Sequence, residues 1–176
     1  YMVLGMSFAT LTGLTGGIIH LFNHALMKGA LFMAMGCVVF RLQVASLDTI
    51  EGLGRRMPAT MAAFVVGGLS LIGVPLTVGF VSKWTLVLAA IEANMWPIVV
   101  AIVGSSLLAI VYVWRVVETS FFRPVPEGAP AVVEAPLSML VPTWLLAGAC
   151  VWFGIDARTT LSVARQSAAF LLGGGQ

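Results

Sequence analysis

The sequence predicts an all-α polytopic membrane protein, a bundle of transmembrane helices in which one helix is discontinuous. Three observations carry this. Of 176 residues, 60% are hydrophobic and 9% charged, whereas a soluble domain carries about a quarter charged residues to wet its surface. Charge-free stretches recur along the chain at the roughly 20 residues that a helix needs to cross the hydrocarbon core. These stretches are rich in Leu, Val, Ile and Ala, not alternating polar and apolar like the strands of a membrane barrel. The same composition excludes other classes. Nine basic against seven acidic residues leave a net charge of +2 with no basic cluster beyond Arg55-Arg56, so nothing supports nucleic-acid binding. Cys37 and Cys150 are the only cysteines, too few for a disulfide scaffold, and the apolar excess excludes disorder.

No charge falls between Tyr1 and Met27. The chain opens inside an apolar segment with no initiator Met and no basic leader, which is not a signal peptide. Residues 1–10 are therefore read as the end of a span whose earlier helices are missing. Gly and Thr cluster over Thr10–Gly17, which is read as a loop, and the first complete span covers 18–41. A polar loop, 42–57, carries Asp48, Glu51, Arg55 and Arg56. Pro58 then opens a helix at the position where proline is best tolerated. That span is interrupted at Gly73-Val-Pro75-Leu-Thr77-Val-Gly79 and resumes, so 58–93 is one broken span with halves near 58–73 and 80–93. Such a break survives in a membrane only where protein or internal water satisfies the freed backbone groups. Trp96-Pro97 is a tight turn, 97–121 a further span, and the proline-rich 122–135 a loop. The last span is 136–155. The tail, 157–176, is expected to carry an interfacial helix, since Val163, Phe170 and Leu171 interleave with Arg158 and Arg165. Basic residues near span ends concentrate beside loops 42–57 and 122–135, which places those loops in the cytoplasm and the C-terminus outside.

Two amines stand where a membrane span should not have them. Lys28 is halfway along 18–41, and Lys83 follows the break; a lysine at the centre of a span costs about 2.5–3.5 kcal/mol on insertion scales. Lys28 completes the pattern His20-x-x-x-His24-x-x-x-Lys28, whose spacing of four sets all three groups on one helical face. A row of groups that titrate near neutrality, bridged by water, hands protons along; the alternative is that the histidines bond neighbouring helices and Lys28 pairs with a buried carboxylate. Two histidines at i, i+4 lack a third ligand and lie beside a cation, so a metal site is not indicated. At the break, Gly73, Pro75, Thr77, Gly79 and Ser82 would line a polar, hydratable spot next to Lys83; the alternative there is a packing kink with a stray amine. Gly173-Gly174-Gly175 lacks the lysine and hydroxyl of a phosphate loop, and no cofactor is indicated.

His20-Leu-Phe-Asn-His-Ala-Leu-Met-Lys-Gly-Ala-Leu-Phe32 resembles the H-x-x-x-H-A-x-x-K-x-x-L-F signature of the antiporter-like proton-conducting subunits. That family includes membrane-arm subunits of respiratory complex I, related membrane hydrogenases and Mrp-type cation/proton antiporters. Gly52-Leu-Gly-Arg-Arg-Met-Pro58, Leu69-Ser-Leu-Ile-Gly-Val-Pro75 and Gly79-Phe-Val-Ser-Lys-Trp84 resemble the family's second broken helix and its lysine. The resemblance implies the C-terminal portion of a subunit built from two inverted five-helix repeats, with the first repeat absent here. Trp84, Val113–Glu118 and Phe153–Asp156 look like the D-type protein of Mrp antiporters, and Leu76 stands where complex I members often carry a second proline. The implied function is proton conduction through His20, His24, Lys28 and Lys83 in a multisubunit sodium or potassium/proton antiporter of a bacterial inner membrane. The alternative is the same role in complex I or a membrane hydrogenase. The implied partners are other subunits, the bilayer, protons and monovalent cations. No reaction centre is visible, so no enzyme activity is assigned to the chain itself.

Overall fold

The computed structural model describes residues 1–44 and 46–173; Ala45 and the last three residues of the expected tail and glycine run, 174–176, lie outside the described residues. In chain order the helices are α1 (Met2–Ser7), α2 (Leu11–Leu42), α3 (Leu53–Arg56), α4 (Pro58–Ile72), α5 (Val78–Glu92), α6 (Trp96–Val117), α7 (Leu137–Ile155) and α8 (Arg158–Leu171). A single π-helical turn, Glu118–Phe122, closes α6. Among the described residues, three helical stretches are long and apolar enough to cross a membrane: Leu11–Leu42, Trp96–Phe122 and Leu137–Ile155.

The loop expected over 10–17 is instead the first turns of α2. Thr10 caps the helix, its side chain accepting a hydrogen bond from the Gly13 amide at 3.1 Å. The glycines that suggested a loop are packing residues: Gly13 and Gly17 let α1 lie against α2 at Gly5, and Gly16 admits Leu86. Composition alone does not separate a flexible glycine cluster from a close helix crossing.

At 1.5 Å per residue, the 32 residues of α2 reach about 48 Å, and α1, α4, α5, α7 and α8 all pack on it. The halves α4 and α5 run antiparallel to it in succession. Gly67 lies against Ala30 and Leu31, Gly79 against Met27, and Leu86 against Gly16. The Asn23 side-chain amide donates to the Val78 carbonyl at 2.7 Å. The interruption between α4 and α5 therefore falls beside Asn23 and Met27, midway along α2. From the loop end, α7 descends along the same helix: Leu140 joins Ala34 and Cys37, Ala147 joins Ala30 and Ala63, and Cys150 joins Met27 and Val78. It ends with Gly154 against the backbone of Leu76 and Thr77. Helix α8 then packs on α2, with Ala164 and Ala168 buried.

The segments 42–57 and 122–135 meet at one end of the bundle. Arg123 pairs with Glu51 at 2.7 Å, and Arg56 donates to the Pro130 carbonyl. Glu134 does more. Its carboxylate accepts from the Ala59 amide at 2.8 Å and from the Thr60 hydroxyl, and its carbonyl accepts from Arg41 at 2.6 and 3.1 Å. A residue distant in sequence thus caps α4, which has no side-chain cap of its own, and its negative charge suits the helix N-terminus. Glu134→Ala is expected to lower stability by about 1–2 kcal/mol, with Glu134→Gln between it and wild type; thermal unfolding of the full-length subunit in detergent measures this. Equal melting temperatures for all three would remove the capping role.

Candidate functional site

The break follows from its residues. Helix α4 closes on Gly73, whose amide returns to the carbonyls of Leu69 and Ser70 at 3.1 and 3.0 Å. Gly73 has φ +92°, a conformation that glycine adopts without strain. An added Cβ there would also press on Lys83 Cδ at 3.1 Å. Pro75 has no N–H to offer the Leu71 carbonyl one turn back, and Leu76 sits at φ +72°, a conformation closed to proline. Two carbonyls at the end of α4, those of Leu71 and Ile72, are left facing α5. Thr77 turns its hydroxyl to the Val74 carbonyl at 2.6 Å, and α5 begins at Val78.

Lys83 takes up both freed carbonyls. Its Nζ donates to Leu71 O, Ile72 O and Ser106 Oγ, each at 2.9 Å. The residue is 9% exposed. The ammonium thus sits at the negative end of the α4 dipole, with a neutral hydroxyl as third partner. Its charge meets no carboxylate: among the described residues the bonds are to carbonyls and a serine.

The other expected residues gather on the same space. A cavity of about 250 Å³ is lined by His20, His24, Lys28 and Lys83, with Tyr1 and Tyr112 also on its wall. His20, 3% exposed, joins its Nδ1 to the Ser82 hydroxyl at 2.9 Å, which ties α2 to α5 one residue from Lys83. The rings of His20 and His24 are 5.5 Å apart between centroids. Lys28 Nζ lies 5.8 Å from the Phe32 ring centroid, and no side-chain hydrogen bond holds it among the described residues. The buried carboxylate that the alternative reading pairs with Lys28 is absent from the described lining of this cavity. Ser82 lies between His20 and the backbone, and Gly79 brings α5 onto the Ser70 carbonyl. None of the five residues expected to line the break, Gly73, Pro75, Thr77, Gly79 and Ser82, is in the described lining of this cavity; they shape the break beside it.

Ser106, Tyr1 and Tyr112 join the site without a sequence pattern that singles them out. A signal for Ser106 exists: Ser105-Ser106 is the one hydroxyl pair in the apolar run from Trp96 to Val111. A larger cavity, about 420 Å³, lies between α2, α5 and α8; its one charged lining group among the described residues is Arg165, and no titratable acceptor is among that lining.

An apolar bundle with an interrupted helix midway along α2, and two amines and two histidines on one cavity beside the interruption, defines a polytopic membrane protein with buried titratable groups. The chain belongs to the NADH:quinone oxidoreductase/Mrp antiporter transmembrane family, whose model matches residues 1–109, and it is an integral membrane protein. It is 41% identical over 167 residues to NADH-quinone oxidoreductase subunit N of Desulforudis audaxviator, covering 88% of this chain and 33% of that protein. It is 32% identical over 159 residues to hydrogenase-4 component B of Escherichia coli, covering 84% and 24%. The fold matches a chain of the Mrp complex from Dietzia sp. at a TM-score of 0.89 and 24% identity, over 99% of this chain and 41% of that one. It matches a chain of respiratory complex I from Thermus thermophilus at 0.79 and 23% identity, over 97% and 36%. The chain thus spans a quarter to a third of the length of these sequence relatives.

Proposed function

We propose that this chain carries protons across the membrane as part of an antiporter-like subunit, with Lys83 as the group that is loaded and unloaded at the broken helix. The observation that carries the reading is the placement of Lys83: a lysine bonded to two backbone carbonyls at a helix break midway along α2, on a cavity shared with His20, His24 and Lys28. A lysine at membrane depth is expected to serve function by default, and the two imidazoles beside it supply ring nitrogens that can both accept and donate a proton. The partners are other subunits of a membrane complex, since the similar solved structures are parts of the Mrp complex and of respiratory complex I.

Two drivers fit the family. A redox-driven complex is favoured by the sequence relatives, whose names are those of an NADH-quinone oxidoreductase, an F420H2 dehydrogenase and a hydrogenase. Cation/proton exchange in an Mrp-type antiporter is the second reading, favoured by Trp84 and the segments Val113–Glu118 and Phe153–Asp156. In either, loops 42–57 and 122–135 face the cytoplasm of a bacterial cell by their basic residues.

The test uses the full-length subunit in its native complex, in inverted vesicles with a pH-sensitive dye. Acidification driven by NADH or another reduced carrier, absent in Lys83→Ala, supports the redox reading. Collapse of an imposed pH gradient on adding sodium or potassium, also absent in Lys83→Ala, supports the antiporter reading. Proton movement identical in wild type and Lys83→Ala would overturn both.

A further inference from the structure

We propose that Ser106 is the positioning residue of the lysine, giving Lys83 a third hydrogen bond in both of its protonation states by turning its hydroxyl from acceptor to donor. This rests on the reading of Lys83 as a proton carrier. The argument starts from the three atoms around Nζ, each at 2.9 Å: Leu71 O, Ile72 O and Ser106 Oγ. An ammonium has three N–H donors and no acceptor, and three oxygen partners match it one for one. Once the proton leaves, the amine has two N–H groups and a lone pair. The two carbonyls can only accept, so they hold the two N–H groups, and the lone pair is left toward Ser106. Of the three partners, a hydroxyl alone can both accept and donate.

The hydroxyl hydrogen is free to make that turn. Ser106 Oγ donates to the Ile102 carbonyl at 3.2 Å, a long contact one helical turn back. That carbonyl also accepts from Ser105 Oγ at 2.8 Å and from the Tyr1 hydroxyl at 3.3 Å. Releasing Ser106 leaves Ile102 O with partners, so rotation about the Cβ–Oγ bond strands no buried acceptor. Ser105 is not equivalent: its hydroxyl is engaged with Ile102 O and with Tyr1. Ser106 keeps its own proton throughout. The proton lost by Lys83 passes into the cavity that His20 and His24 line, and α6 supplies a rotating partner rather than a carrier.

The titratable groups that face Lys83 are Tyr1, whose ring centroid is 5.6 Å from Nζ, then His20, His24 and Lys28 from α2, and Tyr112 from α6. Those lining groups include no carboxylate. The hydrogen bond to Ser106 is therefore the side-chain contact of Lys83 that follows its charge without itself titrating.

The experiment measures proton flux against pH for the full-length subunit in its native complex in vesicles, normalised to assembled complex. It compares Ser106→Ala, Ser106→Thr and Ser106→Cys, with Lys83→Ala as control. Loss of a hydrogen bond to a charged group predicts a flux fall on the order of tenfold in Ser106→Ala, with a moved midpoint of the pH profile. Ser106→Thr, which keeps the hydroxyl, restores flux and midpoint. Ser106→Cys, which keeps the volume but bonds weakly, falls with alanine. Wild-type flux and midpoint in Ser106→Ala or in Ser106→Cys would overturn the inference, and so would a flux loss with an unmoved midpoint, which marks packing alone. Wild-type flux in Lys83→Ala removes the proton-carrier reading itself, and this inference with it. Loss of flux there alongside an unaffected Ser106→Ala overturns the role of Ser106 alone.

Discussion

Gly79→Ala is expected to lower both the assembly of the subunit and the proton flux of what assembles, although the change adds one methyl group. Gly79 is the second residue of α5, and a Cβ there would overlap the Ser70 carbonyl and approach Met27 Sδ at 3.0 Å. Met27 can yield, because its thioether is flexible. The carbonyl cannot: it belongs to the backbone of α4 and already accepts the Gly73 amide at 3.0 Å. The start of α5 must therefore back away from α4. The movement carries Lys83 off the Leu71 and Ile72 carbonyls and Ser82 off His20, because all are fixed by contacts of 2.9 Å. Overpacking of a buried site costs about 1–3 kcal/mol where side chains can adjust, and a clash on backbone belongs at the top of that range. Gly36→Ala is the control, since nothing lies within 4 Å of its added Cβ; alanine is favoured there by up to about 1 kcal/mol of helix propensity. Thermal unfolding in detergent and flux in vesicles read both variants. Gly79→Ala that melts and conducts like Gly36→Ala would show that α4 and α5 do not meet at this point.

The helices were legible because their signal is long and redundant. Roughly 20 apolar residues in a row admit few readings, and proline between two glycines admits one, a break. The start of α2 was not legible, because Gly13, Gly16 and Gly17 are the residues of a loop by composition and of a close helix crossing by contact. His20, His24 and Lys28 could be aligned from spacing alone, since a four-residue step belongs to one helix. That Lys83 shares their cavity could not, because it depends on how α5 packs on α2, which no local pattern encodes. Ser106 was hidden for the same reason: a serine in an apolar helix is common, and only the turn of α6 toward Lys83 gives it a partner. Glu134 is the extreme case. It caps a helix that starts 76 residues earlier in the chain (Pro58), and capping rules read from sequence look only at neighbours.

Lys83→Ala is expected to lower proton flux by about 100-fold or more while leaving the complex assembled, on the order of the loss seen when a positioned proton-transfer group is removed. Assembly survives for a physical reason. The deletion strips partners from the Leu71 and Ile72 carbonyls and from Ser106, which would cost about 1–3 kcal/mol each in a dry site. Here the vacated place adjoins a cavity of about 250 Å³, large enough for water, which the freed oxygens and the His20, His24 and Lys28 side chains can bond. Lys83→Arg separates charge from proton transfer: guanidinium keeps the positive charge but does not deprotonate in proteins, so it should assemble and still fail to conduct. Lys28→Ala tests whether the second amine lies on the same path. Lys28 has no hydrogen-bond partner among the described residues, so its removal should leave melting unchanged and lower flux. Groups that act in one sequence are strongly non-additive, and the double variant should therefore conduct no less than Lys83→Ala alone. Flux in the double variant falling by the product of the two single losses would place Lys28 and Lys83 on separate routes. Full flux in Lys28→Ala would leave His20 and His24 as the relay groups of α2.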